Sequence, residues 1–317
     1  MTKKILIAHP VPVGVLKKLQ GSYEINCIAN LKNKYQQVAD VLPAYDALLA
    51  HSHKVDQPLM DLAPNLQIVA NNGVGYDNID IVYAKEKGIA VTNTPNTTSG
   101  PTANFALGLI IGLMRKIVIT DHWIRNRQLP SWGDPKIMGV SAGGMTLGII
   151  GLGRIGKELA KRANVCGMKV QYHNRSQLNA SIEKECNATY ATLEAILQTS
   201  DVISIHTPLT PSTKHLINKE RLSQMKPTAF LVNTSRGGVI DQQALVTALQ
   251  DRVIAGAALD VFEHEPRVPE ELLQMEQVVL TPHNGTGTYE ARQAMLEEAL
   301  GYIKKFLSGE EVPARIV

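Results

Sequence analysis

The chain has 317 residues, of which 44% are hydrophobic and 19% are charged, and its formal net charge at pH 7 is +3. This composition is typical of a globular protein with an ample core and argues against intrinsic disorder. Charges of both signs are interspersed, which argues against a nucleic-acid-binding scaffold. A chain of this length is expected to form two domains.

The apolar segments and the cysteines argue against membrane, secreted and zinc-finger classes. The longest apolar run, residues 105–114, is much shorter than the ~20 residues that span a membrane. The apolar segment before His9 is too short for a signal peptide. Cys27, Cys166 and Cys186 have neither a metal-binding spacing nor a paired count, so we expect reduced thiols in a cytoplasmic protein without a metal site.

Short apolar segments alternate with segments of helical length along most of the chain. Near-continuous apolar runs indicate parallel strands that are covered by helices on both faces. The predicted fold class is therefore α/β. The predicted strands are residues 4–8, 45–50, 66–70, 146–150, 168–172, 202–205, 229–232, 255–259 and 278–280.

A linker and a buried helix are predicted in the middle of the chain. Residues 93–101 are rich in turn formers, which is typical of a linker. Residues 102–120 are apolar on nearly every face, and a helix of that kind must be buried. Two interpretations are open: an interdomain helix, or a dimer interface to which Trp123 and Trp132 contribute.

A GxGxxG motif follows the predicted strand at 146–150 and begins a helical pattern. The next strand, 168–172, completes a βαβ unit, which is the context of a dinucleotide-binding fingerprint. Gly151 permits the tight turn, Gly153 lets the backbone approach a pyrophosphate, and Gly156 allows close packing of helix on strand. The motif predicts that the helix N-terminus receives the phosphates.

The residues after the second strand of this unit predict the cofactor preference. An NAD site usually carries an acid about 20 residues beyond the glycines, but no Asp or Glu occurs between Leu159 and Ile182. Asn174, Arg175 and Ser176 occupy the position instead. Because an arginine can hold a 2′-phosphate, we predict a preference for NADP(H), with NAD(H) also accepted. The alternative is that Arg175 is a solvated surface residue.

Polar side chains follow four successive predicted strands. These residues are His206, Arg236, Asp260 with Glu265, and His283. The carboxyl ends of parallel strands meet at one edge of a sheet, where ligands bind. Four such strand ends in order indicate a catalytic site, although each residue alone has a structural explanation as a surface ion pair, a packed imidazole or a turn cap.

These groups suit the reduction of a 2-keto acid, which requires a cation for the carboxylate, a proton donor at the carbonyl oxygen and a hydride donor at the carbon. Arg236 offers a permanently charged planar fork. His283 carries a proton near neutral pH. Glu265 can hold the imidazole and favour its protonated form.

Taken together, these motifs resemble the D-2-hydroxyacid dehydrogenase family over essentially the whole chain. The resemblance implies two Rossmann- or flavodoxin-like domains with doubly wound parallel sheets, an active site in the cleft between them, and a homodimer. The motifs that carry it are GLGRIG at 151–156, HTPLTPST at 206–213, VNTSRGGVID at 232–241, DVFEHEP at 260–266 and TPH at 281–283.

The resemblance also implies roles for individual residues. Arg236 binds substrate and is catalytic, His283 is the acid/base, Glu265 is its partner, and the backbone of Val74 and Gly75 receives the substrate carboxylate. Asp260 is expected at the nicotinamide carboxamide and Thr102 near the nicotinamide ring. The predicted cofactor-binding residues are Thr102, Gly151, Gly153, Arg154, Ile155, Gly156, Asn174, Arg175, Ser176, His206, Pro208, Thr213, Thr234, Ser235, Arg236, Asp260, His283 and Gly285.

Family architecture implies a discontinuous substrate domain, residues 1–99 and 288–317, and a dinucleotide-binding domain at 100–287. A final helix, 288–307, is supported by apolar residues at helical spacing. His51 and His53 stand where several relatives carry Arg or other residues near the substrate. Both interpretations, pocket residues or ordinary loop residues, are open.

The predicted function is an NADP(H)-preferring reductase of a small 2-keto acid. The absence of an acid near Arg175 resembles NADPH-preferring glyoxylate and hydroxypyruvate reductases, so we expect a D-2-hydroxy acid as product and His283 as general acid. The expected partners are this small molecule and a second copy of the chain, without nucleic acid or membrane. The alternatives are a cofactor-sensing, corepressor-like binding protein and an NAD-dependent relative that acts on another substrate such as phosphite.

Overall fold

The computed structural model divides the chain into two compact units. Unit 1 comprises Met1–Thr98 and Thr288–Val317, and unit 2 comprises Ser99–Gly287. The first boundary lies one residue before the one predicted from the sequence. The assignment of substrate binding to unit 1 and dinucleotide binding to unit 2 stays a prediction. The structure describes residues 2–11, 21, 23–28, 33–128 and 130–317.

The described strands are β1 (Lys4–Ile7), β2 (Glu24–Cys27), β3 (Ala47–Ala50), β4 (Ile68–Asn71), β5 (Ala90–Thr92), β6 (Thr146–Ile150), β7 (Lys169–His173), β8 (Ala188–Tyr190), β9 (Val202–Ile205), β10 (Phe230–Asn233), β11 (Gly256–Leu259) and β12 (Val278–Leu280). The described α-helices are α1 (Lys34–Val41), α2 (Gln57–Asp61), α3 (Ile81–Glu86), α4 (Ser99–Met114), α5 (Ile117–Arg125), α6 (Arg154–Val165), α7 (Ala180–Cys186), α8 (Leu193–Thr199), α9 (Lys219–Ser223), α10 (Gln242–Gln250), α11 (Glu270–Leu273) and α12 (Tyr289–Leu307). Short 3₁₀ helices lie at Leu42–Ala44, Pro135–Ile137 and Gly237–Val239.

In the described part of unit 1, the strands form one parallel sheet in the order β2-β1-β3-β4-β5. Its central strands β1, β3 and β4 are buried on both faces. Ile7 and Leu49 pack on one face with Ile303 of α12, whereas Leu6 and Leu48 pack on the other face. The C-terminal helix is therefore part of the core of unit 1, which explains why this unit is discontinuous in sequence.

In unit 2 the described strands form a parallel sheet in the order β12-β11-β10-β9-β6-β7-β8. The strand order reverses between β6 and β9, and such a switch point opens a crevice at the carboxyl ends of the two strands. The residues that follow them are Gly151 and His206. The predicted fold class, α/β with two doubly wound parallel sheets, is confirmed.

The prediction of one buried helix over 102–120 is wrong. The segment forms two helices, because Lys116 adopts a left-handed conformation (φ 54°) and the N–H of Val140 binds the last carbonyl of α4, that of Met114, at 2.9 Å. Half of the residues of α4 are buried, but α5 has no buried residue, and Ile117 and Ile124 are 54% and 60% exposed.

Three smaller differences concern element boundaries. Helix α4 begins at Ser99, so the predicted linker at 93–101 ends three residues early. Strands β2, β5 and β8 were not predicted, because polar residues such as Glu24, Thr92 and Thr189 interrupt or end their short apolar patterns. Within the described ranges no single helix is long and apolar enough to cross a membrane; α4 and α5 reach that length and composition only as a pair that is bent by 64°.

Candidate active site

The glycine motif forms the turn between β6 and α6. Gly151 has a φ of +101°, and a Cβ there would lie 2.8 Å from the carbonyl carbon of His206. A Cβ on Gly156 would lie 2.5 Å from the carbonyl oxygen of Gly151. Gly153 is the N-cap of α6, without a side-chain cap, and no atom lies within 4 Å of its Cβ position. The loop thus packs closely on the sheet but leaves the helix N-terminus open to an anion.

Buried polar atoms beside this turn fit a dinucleotide. Among the described residues, Nδ1 of His206 and the hydroxyls of Thr207 and Thr234 are buried without a hydrogen-bond partner. These residues follow β9 and β10, at the same edge of the sheet as Gly151. Buried polar groups normally have partners, so a polar ligand at this edge would satisfy them. Burial lowers the pKa of His206 to about 4, so its imidazole is neutral at physiological pH.

The end of β7 lies against the glycine turn. The side-chain Oδ1 of Asn174 accepts a hydrogen bond from the N–H of Leu152 at 2.7 Å, which fixes the residue where an NAD site would carry its acid. The next two residues, Arg175 and Ser176, are exposed. Arg175 makes no ion pair or hydrogen bond within the described residues, so its guanidinium is available to a ligand.

Of the predicted acid/base residues, the structure brings Glu265 and His283 together. Nδ1 of His283 lies 2.9 Å from Oε2 of Glu265, while Oε1 accepts a hydrogen bond from the N–H of Phe262 at 3.1 Å. Burial alone would raise the pKa of Glu265, but the His283 hydrogen bond and charge, the Phe262 N–H and the charge of Arg236 together bring it below its usual value. The carboxylate therefore stays ionised through the neutral range.

Arg236 is brought to this pair by a close approach of two loops. Gly237, the residue after it, packs directly on the backbone between Phe262 and Glu263, where a Cβ would overlap with these atoms. The turn that precedes Arg236 is fixed by Asn233, whose Oδ1 accepts hydrogen bonds from the N–H and the hydroxyl of Ser235. Only a residue without a side chain allows the two loops to meet, and this contact was not predicted from the sequence.

Asp260 holds the loop that carries His283. Its side chain is 1% exposed. One oxygen accepts hydrogen bonds from the Thr281 hydroxyl and the Asn284 N–H, both at 2.7 Å, and the other accepts the Gly285 N–H at 2.8 Å. The sequence suggested a cofactor contact for Asp260; the structure adds a positioning role, which only the spatial proximity of β11 and β12 could reveal.

The other predicted cofactor residues lie around the same edge of unit 2. The Thr213 hydroxyl donates to the carbonyl of Pro208 at 2.6 Å, which closes the loop after β9. Gly285 lies beside Thr102, since its Cβ position is 3.3 Å from the methyl group of Thr102. Arg154 and Ile155 form the first turn of α6. No cluster of three or more His, Cys, Asp or Glu in the described part of the chain is arranged to hold a metal.

In unit 1, the predicted substrate-binding residues lie in the loop after β4. The carbonyls of Val74 and Gly75 accept hydrogen bonds from the side chains of Asn93, at 2.8 Å, and Asn71, at 2.7 Å. In a trans peptide the N–H points away from the preceding carbonyl, so the Gly75 N–H points away from Asn93. Within the described residues neither the Val74 N–H nor the Gly75 N–H has an acceptor, which leaves both available to an anion.

The contact at Gly237 yields a stability prediction. Gly237→Ala should lower the free energy of unfolding by about 1–3 kcal/mol, because the new methyl group meets backbone that cannot move aside. Gly238→Ala is the matched control, since its Cβ would meet only the flexible side chain of Leu209 at 3.3 Å. Urea unfolding measures both variants. Equal stabilities would show that the two loops do not depend on Gly237.

Comparisons with known proteins identify the family. Residues 107–285 match the model of the D-isomer specific 2-hydroxyacid dehydrogenase NAD-binding domain. A glyoxylate reductase of Thermococcus litoralis is 42% identical over 100% of this chain and 97% of its own length. Among solved structures, the TT0316 protein of Thermus thermophilus has a TM-score of 0.92 with 34% identity, covering 99% of this chain and 100% of its own.

A second solved structure is described as the NADPH-dependent glyoxylate/hydroxypyruvate reductase of Sinorhizobium meliloti in complex with NADP and malonate. It has a TM-score of 0.89 and 34% identity, and the match covers 100% of this chain and 97% of its own. A family model that spans more than half of the chain, together with relatives that match from end to end, shows that the chain belongs to the D-isomer-specific 2-hydroxyacid dehydrogenase family and is an NAD(P)-dependent enzyme.

Proposed function

We propose that the protein reduces a small 2-keto acid, of the glyoxylate or hydroxypyruvate type, to the D-2-hydroxy acid with NADPH. The observation that carries this proposal is the pairing of His283 with Glu265 at 2.9 Å, next to Arg236, at the edge of the sheet that also holds the glycine turn. The relatives support the substrate class, since the one from Thermococcus litoralis is described as a glyoxylate reductase.

Each group at the edge has a defined task in this reaction. The nicotinamide, when bound, supplies the hydride to the carbonyl carbon. Arg236 offers two parallel N–H groups to the carboxylate and carbonyl oxygens and stabilises negative charge that develops on the carbonyl oxygen. His283, whose Nδ1 is held by Glu265, donates the proton on Nε2 to that oxygen. The products are the hydroxy acid and the oxidised nicotinamide.

The substrate carboxylate is assigned to the backbone N–H groups of Val74 and Gly75 in unit 1. Both groups lack acceptors in the described part of the chain. Asn71 donates to the carbonyl of Gly73, in the peptide that carries the Val74 N–H, and Asn93 donates to the carbonyl of Val74, in the peptide that carries the Gly75 N–H. Backbone N–H groups bind an anion without titrating, so this part of substrate recognition should not depend on pH.

The cofactor preference is assigned to Arg175. Its exposed guanidinium follows Asn174, which is fixed against the glycine turn, and no carboxylate lies between residues 159 and 182 to repel a 2′-phosphate. The Sinorhizobium meliloti relative, which is described as NADPH-dependent and in complex with NADP, supports this preference.

The homodimer and the cytoplasmic location are also proposals. The apolar surface of α5, with Ile117, Val118 and Ile124 each about half exposed or more, supports burial against a second copy. Trp132 is 98% exposed as well. Cys27, Cys166 and Cys186 are free, as is typical of a reducing compartment.

The role of Glu265 predicts a shifted pH profile. In wild-type protein the ionised carboxylate favours the protonated imidazole, so reduction should persist to higher pH than in Glu265→Gln. We therefore expect the alkaline fall of kcat/KM for ketone reduction to move to lower pH in the variant. Glu263→Gln, which removes a carboxylate bonded to His215 instead, is the control. An unchanged profile in Glu265→Gln would remove Glu265 from this role.

The bidentate role of Arg236 predicts that lysine cannot replace it. Lysine supplies a point charge without the planar fork, so Arg236→Lys should lose at least ~10²-fold in kcat/KM, about 2.7 kcal/mol of transition-state stabilisation. Cofactor affinity should change little. Arg252→Lys, at an exposed position after α10, controls for the exchange itself. Near-normal turnover in Arg236→Lys would mean that the substrate is held elsewhere.

The assignment of Arg175 predicts an NADPH preference of at least tenfold in kcat/KM. A charge-assisted hydrogen bond contributes ~1.5–3 kcal/mol, which is roughly 10- to 150-fold. Arg175→Ala should remove most of the difference, whereas Lys184→Ala, at an exposed position of α7, should retain it. Steady-state kinetics with both cofactors decides the question. Equal efficiency in wild-type protein would leave Arg175 as a surface residue.

A further inference from the structure

A group of basic side chains occupies the switch point of the sheet in unit 1. The strand order reverses between β1 and β3, and ligands of doubly wound sheets bind where such neighbouring strands diverge at their carboxyl ends. His9 follows β1 and His51 follows β3, and their ring centroids are 5.3 Å apart. We call His9, Lys34, His51, His53 and Arg292 the basic cluster.

Hydrogen bonds hold the basic cluster in place. Nζ of Lys34 donates to the carbonyl of His51 at 2.5 Å, which leaves two of its three N–H groups for other acceptors. Nδ1 of His51 lies 3.3 Å from the carbonyl oxygen of Asn72, and Nε2 of His9 lies 3.2 Å from the side-chain nitrogen of Asn72. The cluster is therefore built onto the ends of β1, β3 and β4 rather than formed by mobile surface side chains.

Two buried polar atoms in this region have no partner. His53 is 7% exposed and Asn72 is 5% exposed. Within the described residues, Nε2 of His53 and Oδ1 of Asn72 make no hydrogen bond. Leaving such a group unsatisfied costs ~1–3 kcal/mol in a folded protein, whereas a polar ligand at the switch point would provide the missing partners.

The electrostatics of the basic cluster favour a negative ligand. Burial, as the largest cause, lowers the pKa of His51 to about 3 and that of His53 to about 4. Burial also lowers the pKa of Lys34 to about 8, and Lys34 and Arg292 further lower the pKa of His9 and His51. His51 and His53 are therefore neutral at physiological pH, and the positive charge of the cluster comes from Lys34 and Arg292, which an anion would compensate.

We propose that the basic cluster binds a second acidic group on the substrate, a carboxylate or a phosphate, so that the preferred substrates are 2-keto acids with two acidic groups. The proposal rests on the proposed function, in which Val74 and Gly75 bind the first carboxylate. Asn72, which contacts His9 and His51, precedes Val74 by only two residues, a span of at most about 7 Å. One small keto acid can therefore reach both places.

The test compares two substrates of the same shape. Oxaloacetate carries a second carboxylate, and its amide, 2-oxosuccinamate, carries a neutral group of equal size. We expect wild-type kcat/KM to be at least tenfold higher for oxaloacetate. This ratio should fall below threefold in Lys34→Met and in Arg292→Gln. Lys54→Met removes a cation that pairs with Asp56 and is exposed, so it should keep the wild-type ratio.

The same ratio should depend on pH. Lys34 is charged below its pKa of about 8, and kcat/KM reports the free enzyme. The preference for oxaloacetate should therefore decline as the pH rises through about 8, while His283, which serves both substrates, cancels in the ratio. In Lys34→Met the ratio should be low and independent of pH over this range. A ratio in Lys34→Met that followed the wild-type pH dependence would overturn the role of Lys34.

Failure of this proposal is distinct from failure of the proposed function. If wild-type protein reduces glyoxylate but does not distinguish oxaloacetate from its amide, the second acidic group is overturned and the reductase stands. If it reduces none of the three keto acids, the proposed function fails as well. Thermal shifts with inorganic phosphate test whether the cluster binds a free anion instead. If phosphate stabilises wild-type protein but not Lys34→Met, and wild-type protein shows no preference between the two substrates, the cluster binds a free anion. That result would overturn the substrate assignment.

Discussion

The buried carboxylate of Asp260 is the interaction on which the candidate active site depends. It accepts three hydrogen bonds from the segment that begins at Thr281 and ends at Gly285, and His283 lies in the middle of this segment. A buried carboxylate is costly unless its acceptors are filled, so the segment has little freedom to leave it. Asp260, the residue after β11, thus fixes the backbone position of His283, while Glu265 orients its imidazole through Nδ1.

Much of this site could be predicted because parallel strands bring their carboxyl ends to one edge. For that reason the residues after β9, β10, β11 and β12 could be assigned to one place from the order of the strands alone. The contact of Gly237 with the backbone at Phe262 could not be predicted, since it depends on the distance between two loops. A glycine next to an arginine carries no sequence signal for such a contact.

The prediction of a single buried helix over residues 102–120 failed for a similar reason. Apolar periodicity indicates which faces a helix can bury, but it does not indicate where the helix ends. Met114 ends α4 because Val140 binds its carbonyl, and Val140 is distant in sequence. The apolar residues beyond this point then lie on the surface, so the same pattern corresponds to core residues in α4 and to exposed residues in α5.

Both units have a switch point at which the strand order reverses, but the residues at the two switch points differ in chemistry. In unit 2 the switch point carries the glycine turn, where backbone N–H groups and the N-terminal end of a helix dipole are suited to an anion. In unit 1 the switch point carries His9 and His51, with Lys34 held against the latter. The ammonium of Lys34, beside these neutral imidazoles, can distinguish ligands by charge. In both units the strand order thus sets the location of the crevice, and the residues that follow the strands set its chemical character.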